Sequence, residues 1–185
     1  PYLVSCLDTH SAILIDPPAD FDAPSATLTF TTANQIIDYI TTHKITLEWV
    51  LETHAHADHI TAASYIKQQL KDKHPCKLGT GAGITQVQAY FSHLYQLDMP
   101  SDGSPFNTLF NDGDRFSLGN THFDVITTPG HTPDSVSYLI DENLFVGDTF
   151  FMPDSGTARC DFPGGSAKEL FASLHKLLAL PDKTI

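Results

Sequence analysis

The feature that most constrains this chain is a run of seven residues, Thr53-His54-Ala-His56-Ala-Asp58-His59. It sets three imidazoles and a carboxylate within six positions, directly after a β-branched, strand-like stretch, Thr46–Glu52, and before the apolar spacing of Ile66 and Leu70 that reads as a helix. Neutral imidazole and carboxylate are standard nitrogen and oxygen donors for zinc or iron. The intervening alanines leave room for the chain to curl, so donors two apart can turn toward one point. A solvated polar turn, with Asp58 capping the next helix, accounts for Asp58 but not for three histidines. Metal binding is therefore the stronger reading.

Two further motifs supply what a short cluster lacks. Thr128-Pro-Gly-His131-Thr-Pro-Asp134 puts a histidine beside a Pro-Gly turn, between two predicted strands. Alone it reads as an ordinary loop histidine; beside the first motif it becomes a ligand from a distant stretch. Phe145-Val-Gly147-Asp148-Thr149 places an acid at the end of an apolar strand, where α/β sheets put functional groups. Gly79-Thr-Gly81-Ala-Gly83 lacks the full dinucleotide-binding pattern and reads as a turn opening a helix. Cys160 has no partner base in view and reads as a partly buried, inert thiol.

Composition narrows the function classes. Lys+Arg 10 against Asp+Glu 22 leaves a net charge of −12, and Arg115 and Arg159 are the arginines. A basic face for phosphate backbones is missing, so nucleic acid is not an expected partner. Apolar residues at 41% with charged residues at 17% exclude a disordered chain. No apolar run is long enough to span a bilayer, so no membrane partner is expected. Cys6, Cys76 and Cys160 form no Cys-x-x-Cys pair and no disulfide framework. With no export signal in view, the expected compartment is cytoplasmic or an organelle matrix, not a secreted one. The length of 185 residues predicts a single domain over 1–185, truncated at both ends.

Periodicity predicts a mixed α/β chain. Ser11–Asp16 reads as a strand stopped by Pro17-Pro18, and Thr32-x-x-Gln35 as a capping box opening a helix to about Lys44. Helices are predicted from about Ile60 to Lys73 and from Ala82 to Phe91, with a loop from Asp98 to Asn107. Arg115–Leu118 and Thr121–Thr127 flank a hairpin turn at Gly119-Asn120, and Ser135–Ile140 and Leu144–Val146 flank another at Asp141–Asn143. After a glycine- and proline-rich loop over 153–165, Ser166-x-x-Glu169 caps a helix whose Leu170, Leu174, Leu177 and Leu178 mark a buried stripe.

Taken together, the three motifs resemble the metallo-β-lactamase superfamily: its H-x-H-x-D-H signature at His54 to His59, its later ligand at His131 and its bridging acid at Asp148. The resemblance runs from about Leu3 to Ile185 and implies an αββα sandwich, two packed mixed sheets flanked by helices. The resemblance also implies a further C-terminal part, with a late histidine and elements that help hold glutathione, which is expected to be missing from this chain. Three segments look like the glyoxalase-II-like branch. Within it, Gly156-Thr-Ala-Arg159-Cys-Asp161-Phe-Pro-Gly-Gly165 is most similar to persulfide dioxygenases and the bacterial β-lactamase-hydrolase-like proteins.

That resemblance implies one Fe(II) per chain on His54, His131 and Asp148, with His56, Asp58 and His59 around it or on a vestigial second position. The implied reaction oxidises glutathione persulfide with O2 to sulfite and glutathione. Asp58 and Arg159 are the candidate catalytic residues. Arg159 either faces the cleft or pairs with Asp154 or Asp161 to stiffen its loop. The alternative is a zinc thioester hydrolase of the glyoxalase II type with one or two Zn(II). A third reading is a non-catalytic, metal-stabilised binding module. A homodimer is an open alternative to a monomer.

Overall fold

The computed structural model describes residues 1–72 and 75–185. Strands and helices run in the order β1 (Tyr2–Cys6), β2 (Ser11–Ile15), β3 (Asp20–Asp22), β4 (Thr27–Thr29), α1 (Thr31–Thr42), β5 (Thr46–Leu51), α2 (Ala63–Leu70), β6 (Lys77–Gly81) and α3 (Ile84–Tyr95). They continue with β7 (Thr108–Phe110), β8 (Arg115–Leu118), β9 (Thr121–Thr127), β10 (Val136–Ile140), β11 (Asn143–Phe145) and α4 (Ala167–Leu178). The fold is mixed α/β, as the alternating periodicity predicts. The chain forms two compact units, one of Pro1–Glu52, His56–Gly79 and Ser117–Thr121, the other of Thr53–Ala55, Thr80–Phe116 and His122–Ile185.

In the first unit the sheet order is β1-β2-β5-β6. β1 is antiparallel to β2, whereas β2, β5 and β6 are mutually parallel. Every residue of β2 is buried, which is why Ser-Ala-Ile-Leu-Ile reads as a continuous apolar run rather than an alternation. β2 and β5 finish in register, with Ile15 opposite Leu51. Asp16 and Glu52, the next residue of each strand, therefore leave the sheet together, the first donating its amide to Leu51 O and the second to Gly79 O, both at 2.9 Å.

Two local expectations change here. Thr32 is not a capping residue: α1 begins at Thr31 behind Phe30, with no side-chain cap. Thr32 instead gives its amide (2.9 Å) and hydroxyl (2.6 Å) to the carboxylate of Asp20, an acid from β3 serving the orphan donors of the first turn. The helix predicted from Ile60 is shorter, Ala63–Leu70, because Thr61 is held in a β-bridge to Pro18. Its predicted end at Lys73 lies outside the described residues.

A separate sheet has the order β11-β10-β9-β8, and both predicted hairpins are present. Tyr138 on β10 faces Val125 on β9. An aromatic cluster fills the interior, with Phe116 stacked on Phe110 (centroids 5.0 Å apart) and on Phe123 (5.2 Å). Helix α4 has the expected Ser166 cap, whose hydroxyl accepts the Glu169 amide at 3.2 Å. Its buried face is Leu170, Ser173 and Leu177, whereas Leu178 is exposed. Ser173 falls on the inner stripe because its hydroxyl donates to Pro129 O at 2.7 Å.

Strand β6 was not legible as a strand, since Lys77-Leu-Gly-Thr-Gly81 carries two glycines. The second of them is a close-approach position: a Cβ on Gly81 would lie 2.1 Å from the carbonyl oxygen of Asp134.

Phe123 is fully buried in the aromatic cluster, so Phe123→Ala is expected to cost about 3–5 kcal/mol. Leu178→Ala, on the exposed side of α4, should change stability by less than about 0.5 kcal/mol. Chemical denaturation of both variants checks the pair.

Candidate metal centre

Three donors meet in the second unit. His54 Nε2 lies 3.9 Å and His131 Nε2 3.8 Å from Asp148 Oδ2, and one donor atom from each residue falls within 4.8 Å of the other two. The imidazoles are buried and meet edge to face, with centroids 5.1 Å apart, while the Asp148 side chain is 42% exposed. The trio thus has a dry wall and an open side.

Each member is held from outside the trio. The peptide before His54 is fixed by Thr53 O accepting the Val136 amide at 2.8 Å. The next amide, Ala55, donates to Asp134 Oδ2 at 2.7 Å. Thr53 Oγ1 sits 3.0 Å from His54 Nδ1. His131 Nδ1 is 2.7 Å from the carbonyl oxygen of Arg159. A carbonyl can only accept, so that nitrogen bears the proton and Nε2 keeps the lone pair aimed at Asp148. The Phe162 and His131 rings meet edge to face, with centroids 5.1 Å apart.

Asp148 lies in a single 3-10 turn, Gly147–Thr149, one residue after β11. Gly147 has φ +54, and a Cβ there would come within 2.4 Å of Thr53 Oγ1. Only glycine lets this turn press against the peptide that carries His54. Thr149, buried, donates to Thr128 Oγ1 at 3.3 Å, which in turn meets Ser137 Oγ at 3.2 Å. These hydroxyls link the acid's turn to the His131 loop.

Two imidazole nitrogens and one carboxylate oxygen at this spacing are a donor set suited to a divalent transition ion. Two engaged Nδ1 atoms leave both Nε2 atoms for ligation, so the residues present fit such an ion.

The other sequence candidates gather in the first unit, as two groups that share His56. One is His56, Asp58 and His59; the other is Asp16, Glu52 and His56. His59 Nδ1 is 3.1 Å from Asp58 Oδ1, and its Nε2 is buried without a hydrogen-bond partner among the described residues. His56 Nε2 lies 3.1 Å from Asp16 Oδ1 and 3.2 Å from Glu52 Oε2. Burial pushes the Glu52 carboxyl up to about 7. Burial alone would depress His56, but its hydrogen bonds to Asp16 and Glu52 outweigh that and push it up to about 10.

Arg159 pairs with Asp161 at 3.5 Å and lays its guanidinium over the Phe162 ring at 4.2 Å. Its side chain is largely exposed. Sequence reasoning gave no role to Asp134, Asp16 or Glu52. Asp134 could have been suspected as an acid in the same loop as His131; the Arg159 carbonyl could not, since any residue supplies one.

The family model of the metallo-beta-lactamase superfamily matches residues 2–185. A "Beta-lactamase hydrolase-like protein" of Agrobacterium fabrum is 48% identical over 184 residues, covering 99% of this chain and 42% of that protein. "Glyoxylase B2" of Dictyostelium discoideum is 43% identical over 177 residues, 94% of this chain and 60% of its own length. The crystal structure of ETHE1 from Myxococcus xanthus superposes with a TM-score of 0.76 at 29% identity, covering 99% of this chain and 66% of that one. The chain thus spans less than two thirds of the length of these curated relatives.

Two substitutions test how the trio is held. Asp134→Ala strands the Ala55 amide and should cost about 1–3 kcal/mol. Gly147→Ala must either strain its φ or push Thr53 away, and should cost more than about 1 kcal/mol. Denaturant midpoints measure both.

Proposed function

This chain belongs to the metallo-beta-lactamase superfamily, and from that membership and its donor set we propose that it is a mononuclear iron(II) persulfide dioxygenase. The substrate class is glutathione persulfide, oxidised to sulfite and glutathione. One dioxygen and one water are consumed per persulfide: the terminal sulfur gains three oxygens, the sulfur–sulfur bond breaks, and the released thiol takes a proton. The observation that carries the reading is the trio itself, in which His54, His131 and Asp148 meet without His56, Asp58 or His59.

A two-histidine, one-carboxylate set supplies, with Fe(II) bound, a redox-active ion with positions open to a sulfur ligand and dioxygen together. The protein's own contribution is orientation and water exclusion. The Arg159 carbonyl holds the His131 ring, and Thr53 holds His54. Asp148 is the exposed member of the trio, so substrate enters on its side. The Arg159 guanidinium, carried on Phe162 beside His131, is placed to meet a carboxylate of an anionic thiol. Likeness to the ETHE1 structure and to Glyoxylase B2 supports a centre of this type.

A second reading, a zinc-dependent thioester hydrolase, has one observation in its favour. His59 Nε2 is a buried nitrogen with no hydrogen-bond partner among the described residues, next to Asp58 and His56. That is what a second cation position would leave when empty of protein partners.

Metal analysis and oxygen uptake on anaerobically purified protein separate the readings. The expected result is about one iron per chain and dioxygen consumption with glutathione persulfide. Stoichiometric zinc with thioesterase activity and no oxygen uptake would overturn it. Asp148→Ala and His54→Ala should weaken iron binding by more than the roughly 10–100-fold typical of losing an outer hydrogen-bond partner. His56→Ala should cost less than His54→Ala. Equal losses would favour the two-ion hydrolase.

A further inference from the structure

Helix α4 lies along the stretch that leads into His131, and the contacts run in opposite order on the two segments. The Ser166 amide donates to Gly130 O at 2.8 Å, the Ser173 hydroxyl to Pro129 O at 2.7 Å and the Lys176 ammonium to Thr127 O at 3.2 Å. Gly130, at φ +142, is pressed so closely against the helix that a Cβ there would fall 2.4 Å from Leu170 Cα. Ser166, Leu170 and Ser173 follow one another four and three positions apart, the spacing of one helix face. Lys176 is half-exposed and shares its charge with Asp112, so its contact contributes little.

Ser173 is the informative member. It is 4% exposed, between Leu170 and Leu177 on the buried stripe, where a hydroxyl is a cost unless it is hydrogen-bonded. A helical serine can turn back to the carbonyl four residues earlier; this one reaches an acceptor 44 positions away. Pro129 has no amide hydrogen, so its carbonyl is the one main-chain group by which it can be held through a hydrogen bond. The Gly130 amide, in the same peptide plane, donates to Thr132 O at 3.2 Å. Ser173 and Ser166 thereby fix the two successive peptide planes before His131. The Arg159 carbonyl holds one ring nitrogen, but where the ring starts is set by those planes. We propose that Ser173 is a positioning residue for His131, acting from α4 through the Pro129 carbonyl, so that this imidazole is aimed before an ion arrives. The proposal rests on reading His54, His131 and Asp148 as a metal centre.

Cobalt(II) titration of the metal-free protein, followed by visible absorption, tests it. Alanine is the best helix former, so Ser173→Ala does not put the helix at risk. That variant should need about tenfold more cobalt than wild type and show displaced ligand-field bands. Leu177→Ala removes more buried surface from the same stripe but no hydrogen bond to 127–130, and should keep the wild-type midpoint and bands. In the metal-free protein the NMR signal of the His131 ring Cε1–H, assigned with His131→Gln, should broaden or split in Ser173→Ala and not in Leu177→Ala. An unchanged ring signal in Ser173→Ala, or equal changes in Leu177→Ala, would overturn the proposal. So would a wild-type midpoint in Ser173→Ala where His131→Gln has lost the bands. Failure of the trio as a metal centre reads differently: His131→Gln would then take cobalt as wild type does, and the ring signal would still decide whether Ser173 holds His131.

Discussion

A buried imidazole offers its lone pair in one direction only if its other nitrogen is held, and here the holding is done by groups that are not themselves metal donors. His131 depends on a main-chain carbonyl. His54 depends on the hydroxyl beside it and on flanking peptides tied to Val136 and Asp134. The acid depends on a glycine whose missing side chain makes room for Thr53. None of these contacts is worth more than a few kcal/mol singly. Together they remove the rotational freedom that a bound ion would otherwise have to suppress, which is how a site on loops reaches the precision of one on helices.

The candidate donors were legible in the sequence because their chemistry is written in residue type. Three histidines and an acid in six positions, a histidine after Pro-Gly and an acid after an apolar strand are each visible in one dimension. The two hairpins and the cap of α4 were visible for the same reason, since turn and cap residues announce local conformation. Strand β6 was hidden because its glycines serve a close approach to the loop that carries Asp134, and a glycine demanded by a neighbour looks like one demanded by a turn. Thr32 misled in the opposite way. Its spacing to Gln35 has the form of a capping box, but a carboxylate twelve residues upstream took both of its donors.

Glu52 shows most clearly what a linear reading lacks. It closes a run that reads as an ordinary strand, and a strand-ending glutamate is normally solvated. The parallel register of β2 and β5 sets it beside Asp16, and burial then makes a partner obligatory. The histidine spacing is thus under two demands at once. His54 belongs to the trio and His56 to the carboxylate pair, although both come from one short motif. A pattern that reads as a single ligand cluster is divided by the fold between different sets of neighbours.

The same distinction between global and local resolves the electrostatics. A chain of net charge −12 would repel the anionic thiol of the proposed reaction at long range, but screening confines such forces to about 8 Å at physiological ionic strength. Beside His131 the chain places a ring, Phe162, that carries a guanidinium. The Arg159 main chain is bonded to the imidazole, and its side chain lies on Phe162, which packs against the same imidazole. Asp161 neutralises part of that charge, yet an exposed pair of this kind is worth little and exchanges readily for another carboxylate. On the proposed reaction, an incoming carboxylate would compete with a weak partner for a cation carried on an aromatic ring, and the overall negative charge would add only a modest cost to the encounter.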